Sequence, residues 1–209
     1  MRTALVVVDL QNDFCTGPAV AARYRGTPEE LDEVTTNAAR AVDAAREHGT
    51  EVVFVRYLGD ARRTTGRWRE QALRRRPRCV EGSRGAEFHK VSPAPGERVF
   101  TKRACFDAFL CDGFEEHLVE RDIGHLVFAG LYTDVCVDST ARTAFQKGFD
   151  VTVLTDCTTS MHLPDEEILR FMSVVYGART TTHEQLFADE GDEWSAPSIG
   201  IRAWRTASA

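Results

Sequence analysis

The sequence predicts a three-layer, doubly wound α/β fold: a mostly parallel sheet with helices on both faces. Three observations carry this. The first strand candidate, Ala4 to Val8, is continuously apolar, the pattern of a strand buried on both faces. Strand-sized and helix-sized segments then alternate as far as residue 182, as right-handed βαβ units require. Finally, 209 residues with a hydrophobic share of 43% can fill one core without metals or disulfides as staples. A single domain over residues 1–209 is the expectation.

Each element has its own signal. Thr27-Pro28-Glu29-Glu30 supplies a cap, a first-turn proline and two acids, and Leu31, Val34, Ala38, Ala41, Val42 and Ala45 follow at helical spacing until Gly49. Glu51 to Tyr57 reads as the second strand. From Leu58 to roughly Glu97 the periodicity dissolves into Arg, Gly, Ser and Pro, a connection too long for mere linkage. Arg98 to Lys102 is a short third strand, about Gly113 to Arg121 a helix, and His125 to Ala129 a fourth strand closed by Gly130. Asp134 to Lys147 carries Val135, Val137, Ala141, Ala144 and Phe145 at helical spacing and stops at Gly148. A fifth strand over Asp150 to Leu154, a helix over Asp165 to Tyr176 and a last strand near Arg179 to Thr182 complete the pattern. The acidic stretch from Ala188 to Trp194 is expected to be a mobile tail.

Composition excludes several classes. A charged share of 28% with a net charge of -6 argues against long disorder and gives no overall attraction to nucleic acid or anionic membranes. No apolar stretch approaches the roughly 20 residues that cross a bilayer. The chain passes from Met1-Arg2-Thr3 straight into a strand without the pattern of a secretory signal, so a cytoplasmic protein is expected. The six cysteines, at 15, 79, 105, 111, 136 and 157, contain no CxxC pair and read as free thiols.

In doubly wound sheets ligands bind at the carboxyl ends of strands, where the strand order reverses. Asp9 closes the first strand, Lys102 the third, and Cys136 opens the helix after the fourth. A cysteine near a helix N-terminus and an ammonium is expected to have a lowered pKa. Asp9 could take its proton and Lys102 could hold Asp9 charged. Taken singly, a buried inert thiol, a turn aspartate and a solvated lysine explain the same residues. Their joint placement favours a nucleophile, a base and a supporting charge.

Three segments sharpen the reading: Asp9-Leu-Gln-Asn-Asp-Phe14, Lys102 with Ala108-Phe109 behind it, and Gly130-Leu-Tyr-Thr-Asp-Val-Cys136-Val-Asp-Ser-Thr-Ala-Arg-Thr-Ala144. In this order and spacing, with Glu81-Gly-Ser-Arg-Gly-Ala-Glu87, the chain closely resembles the isochorismatase-like cysteine hydrolases over about residues 3–178. These include nicotinamidases, N-carbamoylsarcosine amidase, ureidoacrylate and biuret amidohydrolases, and isochorismatases. The resemblance implies six parallel strands and a triad of Asp9, Lys102 and Cys136. It also implies a non-proline cis peptide at Leu131-Tyr132 that turns the Tyr132 and Cys136 N–H groups toward one oxyanion. Tyr132 is bulkier than the small residue usual there.

The implied activity is metal-independent amide hydrolysis. Cys136 attacks a small carboxamide, ureido or lactam-type carbonyl, and water then hydrolyses the thioester. Two alternatives stand beside it: a vinyl ether hydrolase of the isochorismatase type, and a non-catalytic relative that binds a partner. Where nicotinamidases carry metal-ligating Asp-x-His, this chain has Arg56-Tyr-Leu-Gly-Asp60, and its six histidines form no ligand pair by spacing. No metal and no cofactor are therefore expected, and His89 and His162 read as solvated loop residues or, less readily, as residues that approach the pocket. Arg62 to Arg78 holds eight arginines and one acid; a solvated or subunit-facing helix, an anionic substrate group, or less readily a nucleic acid fits it. Phe14, Trp68 and Tyr132 are candidate pocket walls, with core packing the competing reading for Phe14. The expected partners are a small-molecule substrate and copies of the same chain in a homodimer or homotetramer, with no nucleic acid or membrane.

Overall fold

A computed structural model describes residues 1–59, 78–103 and 105–188. Six parallel strands run β1 (Arg2–Val8), β2 (Glu51–Leu58), β3 (Arg98–Arg103), β4 (Ile123–Leu131), β5 (Asp150–Thr159) and β6 (Arg179–Thr181), in the spatial order β3-β2-β1-β4-β5-β6. The helices are α1 (Asn12–Cys15), α2 (Pro18–Ala21), α3 (Pro28–Glu47), α4 (Phe114–Glu120), α5 (Asp138–Gln146), α6 (Asp165–Tyr176) and α7 (His183–Ala188). Strand order reverses between β1 and β4, so a crevice opens beyond their carboxyl ends.

The continuous apolar run in β1 serves two cores. Ala4, Val6 and Val8 pack with Leu118, Ala141 and Met172 from the face covered by α4, α5 and α6. Leu5 and Val7 pack with Leu31, Ala38 and Val42 of α3 on the other face. Alternation by two residues sends neighbours to opposite layers, and with both layers covered no position in the strand calls for a polar residue.

Helix α3 begins as its sequence requires. Glu30 N–H donates to Thr27 Oγ1 at 3.2 Å and Thr27 N–H to Glu30 Oε2 at 2.7 Å, closing a capping box that also stabilises the amino end electrostatically. Gly49, at φ 67, ends the helix in a conformation that costs other residues more.

Several boundaries differ from expectation. β4 continues past Gly130 to Leu131, and β5 runs to Thr159, five residues beyond Leu154. β5 also bulges, pairing Val153 with Phe128 but Thr158 with Gly130, and hydrophobic patterning does not reveal a bulge. The segment 133–147 is not one α-helix: a π-helical turn, Thr133–Val137, precedes α5. Ala188 closes α7 rather than opening a tail. The remainder of that segment, Trp68 and all of Arg62 to Arg78 except Arg78 lie outside the described residues. Among the described residues, no helix is long and apolar enough to cross a membrane.

Candidate active site

Asp9 follows the last apolar residue of β1 and adopts φ 51, a left-handed conformation that aspartate tolerates better than most residues. Its N–H donates to Val55 O at 2.9 Å, and its carbonyl accepts from Gln11 N–H at 2.7 Å. Gln11, fully buried, donates through Nε2 to Tyr57 O and Ala86 O and accepts from Tyr57 N–H. The first strand end is thereby tied to the second and to the segment around Ala86.

That segment docks closely. Asn12 N–H donates to Glu87 O at 3.0 Å and Cys79 N–H to Asp13 Oδ2 at 2.6 Å. A Cβ on Gly85 would lie 2.3 Å from the Asp13 carboxylate, well inside van der Waals contact, so a larger residue there must displace the carboxylate that holds Cys79 N–H.

Lys102 reaches the same place from β3. Two strand spacings, about 10 Å, separate β3 from β1, and the long lysine stem crosses the gap. Its side chain is fully buried, and Nζ donates to Asp9 Oδ2 at 2.6 Å and to Phe106 O at 3.0 Å. Asp9 Oδ1 is buried and accepts no hydrogen bond of regular geometry among the described residues, and the Cys136 thiol lies within interaction range of the Asp9 carboxyl.

Cys136 sits in the π-helical turn between β4 and α5, and its carbonyl accepts from Thr140 Oγ1 at 2.8 Å. The Leu131-Tyr132 peptide before the turn is cis. Asp134, in the same turn, accepts from the N–H groups of Met161, His162 and Leu163 at 2.9, 2.7 and 3.0 Å, fixing the turn to the end of β5. The structure thus brings Asp9, Lys102 and Cys136 into one buried cluster at the crevice.

Its electrostatics reverse one expectation. Burial pushes the Cys136 thiol well above its ordinary pKa; Lys102 opposes this and Asp9 adds to it. Desolvation outweighs the ammonium here, so the resting sulfur is a thiol, not a thiolate. Burial also raises the Asp9 carboxyl against the pull of Lys102. Burial disfavours the charge on Lys102, but Asp9 and Cys136 outweigh it and raise the ammonium's pKa. The arrangement is a neutral acid, Cys136, beside a carboxylate with enhanced proton affinity, which suits proton transfer during attack.

Of the pocket-wall candidates, Phe14 is half-buried and packs edge to face on Tyr57, with ring centroids 5.9 Å apart. Tyr132 is buried; its hydroxyl donates to Phe14 O and its ring tilts against Tyr24. Its bulk is thus absorbed by a hydrogen bond across the crevice. His89 is not a solvated loop residue: it is half-buried, its Nδ1 pairs with Asn12 Oδ1 at 2.9 Å, and burial lowers its pKa. His162 is exposed.

Sequence reasoning missed Tyr57, half-buried against Phe14 near Asp9 and Lys102, where burial raises the pKa of its phenol, and Arg78, half-buried near Tyr132, Asp13 and Arg23. The strand-end rule that nominated Asp9 also points to Tyr57, the penultimate residue of β2. Arg78 stood within a run of arginines that masked it.

The chain is similar to several known proteins. The isochorismatase domain profile matches residues 3–185. A ureidoacrylate amidohydrolase of Pseudomonas syringae pv. syringae is 30% identical over 174 residues, covering 75% of this chain and 70% of that protein. The nicotinamidase of Escherichia coli K12 is 29% identical over 204 residues, covering 82% and 90%. Among solved structures, N-carbamoylsarcosine amidase from Thermoplasma acidophilum superposes with a TM-score of 0.73 at 26% identity, over 88% of this chain and 98% of that one.

Proposed function

This chain belongs to the isochorismatase family, and from that premise we propose that it is a cysteine amidohydrolase cleaving a C–N bond of a small carboxamide, ureido or lactam-type compound. The observation that carries the reading is the buried Asp9–Lys102 pair beside Cys136. Asp9 takes the thiol proton as sulfur attacks the carbonyl, and Lys102 keeps Asp9 ionised and oriented. The backbone N–H groups of Tyr132 and Cys136 receive the oxyanion. Asp9 returns the proton to the leaving nitrogen, then draws a proton from water as water attacks the thioester. Acid is released, or carbon dioxide and amine from a carbamoyl compound, and no catalytic metal enters any step.

Ureido and carboxamide substrates are favoured by the relatives' names. Positive charge from Arg78 near Tyr132, with Arg23 close to Arg78, supports a substrate that also carries an acidic group, with Phe14 and Tyr132 as its apolar walls; Trp68, the third candidate wall, lies outside the described residues. A homodimer or homotetramer belongs to the same proposal, supported by Phe171, Val174 and Val175 of α6, which are 38%, 73% and 57% exposed. The test is release of ammonia or amine over a panel of amides and ureido acids. Cys136→Ala is expected to lower turnover at least about a thousandfold with the fold intact. Activity surviving that substitution would overturn the nucleophile and favour vinyl ether cleavage.

A further inference from the structure

Outside the triad, the bulge in β5 carries a second cluster of chemically able side chains. Neighbours on a regular strand point to opposite faces, whereas a bulge lets them turn toward one point. Asp156 and Cys157 do so: Cys157 Sγ lies 3.4 Å from Asp156 Oδ1. His183, the first residue of α7, arrives from the end of β6, with Nδ1 2.5 Å from Asp156 Oδ2 and its N–H 3.0 Å from Oδ1. One donor atom from each residue lies within 4.8 Å of the other two, and both Cys157 and His183 are buried. An Asp–His bridge anchoring α7 accounts for two of these residues. The thiol packs into the apolar core beside α3, and its sulfur is also turned onto the carboxylate, so all three residues present a donor atom to one point.

We propose that Asp156, Cys157 and His183 form a zinc site, with water completing a tetrahedron. Sulfur, imidazole nitrogen and carboxylate oxygen together suit zinc rather than calcium or magnesium, which take oxygen ligands. Thiolate and carboxylate neutralise the dication, so the loaded site buries no net charge. Zinc–ligand bonds of about 2.0 to 2.3 Å set tetrahedral ligand atoms about 3.3 to 3.6 Å apart, so side-chain shifts of about an ångström suffice. On binding, the thiol proton leaves to solvent, and His183 ligates through Nδ1 with its hydrogen on Nε2.

The surroundings fit this role. Asn37 Nδ2 donates to Asp156 O at 3.2 Å and steadies the bulge from outside the ligand set. Asp156 also borders a groove of about 550 Å³ lined by Glu30, Glu33 and Asp165 against a single arginine, Arg25, an excess of carboxylates that attracts a cation toward the site. Asp9, Lys102 and Cys136 are not ligands, so the ion ties α7 to the sheet and takes no part in the chemistry.

The test is a cobalt and zinc titration of the chelator-treated full chain. Wild type is expected to bind one cobalt ion with a near-ultraviolet thiolate charge-transfer band, which zinc displaces. Cys136→Ala should keep the band, Cys157→Ala should lose it, and His183→Ala should weaken cobalt binding at least tenfold. The His183 variant decides the matter if Cys157→Ala fails to fold. A wild type without the band, a band that survives Cys157→Ala or vanishes with Cys136→Ala, or unchanged affinity in His183→Ala would each overturn the site.

Discussion

At the scale of single residues, Asp9 illustrates what a sequence can and cannot reveal. An aspartate immediately after five apolar residues announces a strand end, and the doubly wound pattern makes that end a candidate site. Its positive φ and its pairing with a lysine 93 positions away depend on tertiary structure. The sign of the thiol's pKa shift was illegible for the same reason: a helix terminus and an ammonium can be guessed from spacing, but complete desolvation cannot. A consequence concerns acid pH. Because burial raises the Asp9 carboxyl, and the base must be ionised, kcat/KM should fall as pH drops through a value above the usual carboxylate range. Asp9→Asn should abolish turnover, and a wild-type rate flat down to the ordinary aspartate pKa would contradict the assignment.

At the scale of elements, β4 shows how the site is held. Gly130 has φ 116, and a Cβ there would lie 2.0 Å from Val8 O. The strands ending at Asp9 and leading to Cys136 thus approach through a gap that only glycine fits. Gly130→Ala must part them or distort the turn. It should destabilise the fold by at least about 2 kcal/mol, combining steric overlap with a conformation unfavourable to alanine, and lower activity in the fraction that folds. Denaturant titration of the variant measures this, and wild-type stability would refute it. Sequence patterning identified the strand and its glycine but ended the strand at Ala129, two residues before Leu131. The β5 bulge and the π-helical turn escaped it because neither has a hydrophobic period of its own.

At the scale of the whole molecule, the layered architecture, a parallel sheet covered on both faces, followed from apolar runs and alternation, since burial on both faces leaves a direct compositional trace; the strand order came from the structure. The connection after β2 left no such trace. One buried group gives the molecule a pH dependence of its own. His125 lies in β4 with its ring nitrogens 3.1 Å from Thr3 Oγ1 and 2.8 Å from Thr152 Oγ1. Burial, with Arg179 adding to it, lowers its pKa from 6.5 to about 4. The folded state therefore favours the neutral ring, and the unfolded state binds protons more readily. Its contribution is present above pH about 6.5 and is lost as pH falls toward about 4, by up to about 3 kcal/mol. Comparing wild type with His125→Gln by thermal melts at pH 7 and 4.5 should show a smaller acid loss in the variant; equal losses would contradict this.

The central claim, covalent catalysis by Cys136, is tested most directly by mass spectrometry of enzyme quenched during turnover of a slow amide or ureido substrate. The peptide containing Cys136 should carry the mass of the acyl group, in a hydroxylamine-sensitive linkage that is absent from Cys136→Ala. A productive substrate whose turnover leaves that peptide unmodified, and proceeds at the same rate in Cys136→Ala, would contradict the account.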